Sequence, residues 1–165
     1  MTKLKLLSFT LATMAALAVN SIAQDTTTKS TNAPAAKPRT KQGDVASATA
    51  KFGKIAKTDD TYKSALEAHA LDDALKSVGK DGAFKGTVTR VFELRSLAIL
   101  NFDANYRNAL TAVVQAANFT NFPALTNLVG KEVVVTGKFT DYQGRAQIAL
   151  SDPEQIKVVE AEAKQ

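Results

Sequence analysis

Nine side chains in the second half of the chain bring positive charge, aromatic rings and one amide together in three short clusters. They are Arg90, Phe92 and Arg95; Asn101, Tyr106 and Arg107; and Lys138, Tyr142 and Arg145. Guanidinium and ammonium groups attract phosphates, and exposed rings stack on flat ligands. A groove that combines the two can hold a single strand of nucleic acid. Each cluster also admits a plainer reading. Phe92 fits a core position, and Tyr106 would serve as the cap of a barrel. Arg95 and Arg107 have carboxylates close by in Glu93 and Asp103, where surface pairing is worth little. Tyr142 and Arg145 flank a turn, where they would set hairpin register. The set is stronger evidence than any member.

Other chemistry is excluded by composition. The chain has no cysteine, so no disulfide, zinc-thiolate site or thiol nucleophile forms. His69 is the one histidine, so a multi-histidine metal site within one chain is ruled out. Asp72 and Asp73 are adjacent, and on a helix their carboxylates splay apart instead of forming an acid/base pair. Gly130-Lys131 and Gly137-Lys138 lack phosphate-loop spacing, and Phe139 stands where a Ser or Thr is needed. Asn118-Phe119-Thr120 fits a glycosylation sequon, but Phe119 reads as packed. No cofactor, metal or catalytic residue is expected; the chain reads as a binding module, not an enzyme.

The elements that must position the three clusters lie in the later part of the chain. Residues 1–23 have the form of a signal peptide: Lys3 and Lys5, an apolar run from Leu6 to Val19, then Ser21-Ile22-Ala23 as a cleavage site. This predicts an exported protein, periplasmic or secreted, with no stable membrane span after cleavage. Residues 24–57 are rich in Thr, Ala, Lys, Pro and Ser and are expected to be a flexible low-complexity linker. Residues 58–82 carry a helical lead-in, capped near Thr58-Asp59-Asp60 and running as one helix or two broken near His69. The formal charge of +5 is dispersed. Residues 24–82 hold ten Lys/Arg against eight Asp/Glu, and residues 83–160 hold eight against seven. The basic balance therefore belongs to no single compact region.

From Ala83 the period becomes that of strands, expected at 83–93, 97–102, 109–115, 131–141 and 145–151, with a short final strand near 156–159. A short helix or irregular connector is expected between the third and fourth, around Phe119–Leu128. Gly86 and Gly137, each inside a strand, are read as bends that close a barrel. Val133, Val135, Phe139, Ala146, Ile148 and Leu150 are expected to point inward, and Val134, Thr136, Lys138 and Gln147 outward. The fold class is mainly β: a five-stranded Greek-key OB-fold barrel over 83–160, with an N-terminal helix and a short helix between strands 3 and 4. An open antiparallel sheet with the same helix is the alternative.

The run VGKDGAFKGTVTRVFE, with LNF, LTAVV and LVGKEVVVTGKFTDYQGRAQIALSDPEQI, resembles the small bacterial OB-fold domains of nucleic-acid-binding type. Similar domains occur in exported proteins, some beside secreted nucleases. The resemblance spans about Leu71 to Val159 and rests on strands and turns more than on chemistry; no nuclease catalytic domain is matched. It implies a ligand face on the second and third strands, bordered by the loops between strands 1 and 2 and between strands 4 and 5. Two partner classes stay open: single-stranded nucleic acid or another polyanion, and an envelope protein or oligosaccharide with no nucleic-acid role.

Overall fold

The computed structural model describes residues 40–160; the expected signal peptide, the linker up to residue 39 and the last five residues lie outside it. The chain enters through five short elements: α1 (Gln42–Val45), β1 (Gly53–Ile55), α2 (Asp60–Ser64), β2 (Leu66–Glu67) and α3 (Leu71–Lys76). Residues 40–57 therefore depart from the expected flexible linker. Gln42 is fully buried. Its Nε2 donates to the Pro123 carbonyl at 2.8 Å and its Oε1 accepts from the Leu125 amide at 3.1 Å. Val45 and Phe52 pack against the core, and β1 pairs in parallel with a strand near the end of the described chain. Composition predicted disorder from the scarcity of apolar residues; the buried Gln42 amide, Val45, Phe52, buried Ile55 and the pairing of β1 tie this stretch down.

The lead-in is two helices with a strand between them. The Asp59 side chain accepts from the Thr61 amide and starts α2, which ends at Ala65, where ψ is 134°. The stripe Tyr62–Leu66–His69 has helical spacing, yet Leu66 and Glu67 pair in parallel with Phe84 and Lys85. Tertiary pairing overrides the helical period here. The Ala68 amide then bonds the Lys85 carbonyl, and the Ala68 carbonyl accepts from the Leu110 amide.

The rest is mainly β. Its strands are β3 (Asp81–Thr87), β4 (Arg90–Glu93), β5 (Leu97–Asn101), β6 (Thr111–Gln115), β7 (Glu132–Asp141), β8 (Ala146–Leu150) and β9 (Ile156–Val159). Two 3-10 segments, Ala116–Asn121 and Leu125–Leu128, lie between β6 and β7 around Pro123. The nine strands of this strongly curled, barrel-like sheet replace the expected five and short final strand, which is β9. The excess has three sources: β1 comes from the expected linker, β2 from the lead-in, and the first predicted strand is divided. Hydrogen bonding runs β4–β5–β6 antiparallel, β6–β8 parallel, then β8–β7 and β7–β3 antiparallel. Val88 and Thr89 carry β3 into β4. The Val88 amide bonds the Lys131 carbonyl at 3.0 Å, whereas the next amide, of Thr89, bonds the Asn101 carbonyl at 2.8 Å.

Gly137 lies where β7 changes neighbours. Residues 133–135 pair with β9, and residues 139–141 pair with β8. Its φ is +151°, and a Cβ there would stand 2.8 Å from Ile148 Cγ2. Only glycine fits both the turn of the strand and the space. Gly86 is different: the β3–β7 ladder runs through it from 81 to 87 without a bulge. Gly86 instead admits Ala68, whose Cβ would be 2.8 Å from an added methyl.

Alternation along the strands separates a core face from an outer face. Phe84, Leu100, Ala112, Val114, Val133, Val135, Phe139, Ala146, Ile148 and Leu150 all fill the interior. Phe84 meets Phe102 edge-on at 5.0 Å. Val134 does not reach solvent as expected. It is buried with Ile55, Ala65 and Val159 under the lead-in, which covers the outer side of β7.

Candidate ligand-binding groove

The outer face of β4, β5, β6 and β8 is left uncovered and carries two parallel rows of side chains. Arg90 stands opposite Asn101, Asn101 opposite Thr111, and Thr111 opposite Gln147. One step along, Phe92 stands opposite Ile99 and Ile99 opposite Val113. The first row is polar and the second apolar. They form the floor of a groove of about 370 Å³ whose walls are Leu94, Tyr106, Tyr142 and Arg145. That volume falls at the low end of small-ligand sites, roughly 300–1,000 Å³.

Two loops raise the walls. In the β5–β6 loop the Asp103 side chain accepts from the Asn105 amide, and the Asn105 side chain accepts from the Arg107 amide. These successive turns hold Tyr106 between them. Asp103 also meets His69 Nε2 at 3.2 Å, tying the loop to the lead-in. The Asn105 amide first, and His69 second, hold the Asp103 carboxyl below its ordinary value. The second loop is the β7–β8 hairpin, closed by reciprocal backbone bonds between Tyr142 and Arg145 around Gln143 and Gly144. Gln143 and Gly144 have φ of 55° and 77°, the signature of a type I′ turn. This tight turn sets Tyr142 and Arg145 side by side on the groove.

Of the nine residues singled out from sequence, Phe92, Asn101, Tyr106, Tyr142 and Arg145 line the groove. Arg90 lies at its edge, its guanidinium 5.1 Å from the centre of the Phe92 ring. Arg107 lies 5.6 Å from the Tyr106 ring, with Nε 3.3 Å from the phenol oxygen. Arg95 and Lys138 are not brought to the site. Arg95 borders a separate hollow with Thr40, Val45 and Gln115. Lys138 stands opposite Asp81 on β3, in the part of β7 that precedes its pairing with β8. Leu94, Ile99, Thr111, Val113 and Gln147 were missed. The alternation of β5, β6 and β8 contained all but Leu94, which follows β4, but outer-face Ile, Val, Thr and Gln read from sequence as ordinary strand.

Two features give the groove its chemical character. Phe92, Leu94, Tyr106 and Tyr142 are four of the seven large apolar side chains exposed among the described residues. Such concentration marks a contact surface. Secondly, the ion pairs among the described residues use Lys or His as the cation and no arginine. Asp103 takes His69, and Glu93 accepts from the Gly43 amide, so neither neutralises Arg107 or Arg95 as its position in sequence suggested. Arg90 lies beside the Phe92 ring and Arg107 and Arg145 beside the Tyr106 ring, and no carboxylate lines the groove.

Neither a protein-family model nor a sequence of established function matches this chain. Function must be read from the groove itself. Among the described residues no group of three or more His, Asp or Glu side chains is placed to hold a metal ion. No helix among them is long and apolar enough to cross a membrane. The groove can stack a planar group, hydrogen-bond its edge and attract negative charge at its rim.

Proposed function

We propose that the chain is an exported binding module whose barrel is an OB-fold and whose groove takes single-stranded nucleic acid. The circuit β3/β4–β5–β6–β8–β7, with 3-10 segments between β6 and β7, supports the OB-fold reading. That fold offers oligonucleotides the same outer face and the loop between its fourth and fifth strands, here the β7–β8 hairpin; the β5–β6 loop with Tyr106 takes the place of a long loop between the first two strands. The leader-like residues 1–23 support export to the periplasm or the medium. The observation that carries the function is the set of three exposed rings, Phe92, Tyr106 and Tyr142, the first two beside guanidiniums that pair with no carboxylate. Rings stack bases and the arginines meet phosphates. With few cations involved, binding is weak and falls with salt.

Fluorescence anisotropy of labelled single strands against the purified protein, at low and moderate salt, tests this. Saturable binding that weakens with salt is expected. Absence of binding at low salt and the highest soluble protein concentration overturns it. The near-balanced charge of residues 83–160 and the polar row Asn101–Thr111–Gln147 favour a second reading, an oligosaccharide or envelope-protein module. Salt-insensitive retention of an envelope glycan, with no uptake of nucleic acid, is its signature.

A further inference from the structure

The groove contains polar groups that the fold leaves unsatisfied. Asn101 is only 5% exposed, lines the groove, and its Oδ1 has no hydrogen-bond partner. Arg145 Nε, on the facing wall, is likewise covered and without a partner. A buried polar atom without a partner costs stability, about 1–3 kcal/mol, and a native structure retains one where something else supplies the bond. One unpartnered atom accepts and the other donates. A phosphate or sulfate offers only acceptors, so it can answer Arg145 and not Asn101 Oδ1.

We infer that the groove holds a nucleobase subsite: one base of the bound strand enters ring-first, and Asn101 and Arg145 bond its edge. This rests on the nucleic-acid reading above and identifies which part of the strand is recognised. Every base carries an N–H donor and a lone-pair acceptor on its edge, the pair of complements these two atoms need. Asparagine χ2 is soft, so the amide turns to meet such an edge at little cost. Gln147, two strands away in the same polar row, offers a second amide. Ile99 and Val113 make an apolar bed, and Phe92 and Tyr106 supply rings for stacking. The volume suits one base rather than a run of them, so neighbouring phosphates lie at the rim, near Arg90 and Arg107.

The test compares a base-bearing single strand with an abasic strand of the same length and charge, by anisotropy with the full chain. The abasic strand is expected to bind about tenfold or more weakly. Asn101→Leu, similar in size and unable to accept, is expected to weaken the base-bearing strand severalfold and leave the abasic strand unchanged. The comparison of strands on the wild-type protein stands even if that variant folds poorly, and Gln147→Met provides a second variant on the half-exposed end of the row. Equal affinities for the two strands overturn the base subsite and leave a groove that reads phosphates. No binding of either strand overturns both proposals. Displacement by a neutral oligosaccharide but not by a mononucleotide also overturns it.

Discussion

Arg145 donates from Nη2 to the carbonyl oxygen of Tyr106, and its guanidinium lies 4.8 Å from the centre of that residue's ring. One side chain thus fastens the β7–β8 hairpin to the β5–β6 loop, which together make the far wall of the groove. The planar fork does both in one fixed geometry and leaves further N–H groups for a ligand. Arg145→Lys keeps the charge and loses the fork. We expect its affinity for a single strand to fall roughly tenfold and its folding stability by about 1 kcal/mol. Anisotropy and urea unfolding read the two effects. A variant that binds as tightly as wild type would reduce Arg145 to a point charge.

Rings at the groove should matter where rings or apolar groups elsewhere do not. Phe92→Ala and Tyr106→Ala are each expected to cost about 1–3 kcal/mol of binding, as loss of a stacked base does. Val129 is comparably exposed, at 46%, and lies outside the groove. Val129→Ala should bind like wild type. Titration of the three variants against one oligonucleotide checks this, and equal losses in all three would point away from the groove.

Gln42→Leu removes the amide that satisfies the Pro123 carbonyl and the Leu125 amide. Both backbone groups are then left buried without it, at a cost of about 2–4 kcal/mol together. The urea midpoint should drop accordingly while the slope stays constant. Ligand affinity measured well below the new midpoint should be unchanged, because α1 does not line the groove.

Asp103 links stability to acid. Its carboxyl is held below the ordinary value of 3.8, chiefly by the Asn105 amide and then by His69. A folded-state value below the unfolded one means that the unfolded chain binds the proton more tightly. The stabilisation is therefore complete above pH 3.8 and disappears as pH falls through the lower folded value. Asp103→Asn removes the titration. The stability difference between wild type and this variant should be constant near neutrality and shrink below pH 3.8. Urea unfolding across that range measures it. A difference that does not change with pH would remove Asp103 from the account.

The strands and the clusters facing the groove were legible for the same reason. Val133–Val135, Thr136 and Phe139 are strand formers around a glycine, and their alternation fixes which residues face inward. Phe92, Asn101, Tyr106, Tyr142 and Arg145 followed from strand ends and turns. What stayed hidden was non-local. Leu66 has helical spacing and becomes a strand because β3 presents an edge to it. Arg95 and Lys138 look equivalent to their neighbours until register places them elsewhere. Gln42 gives no sign in sequence that its partners lie some eighty residues later.

The passage of one strand through Val88 and Thr89 bears on how the molecule comes apart. The two amides bond in opposite directions, one to the entry of β7 and one to the end of β5. Opening either side of the sheet therefore pulls on the residue that begins the other. Unfolding should be cooperative, with hydrogen exchange at buried Val88 matching the global free energy rather than a local fluctuation. The groove, built on one side of this crossing, persists for as long as the whole domain does.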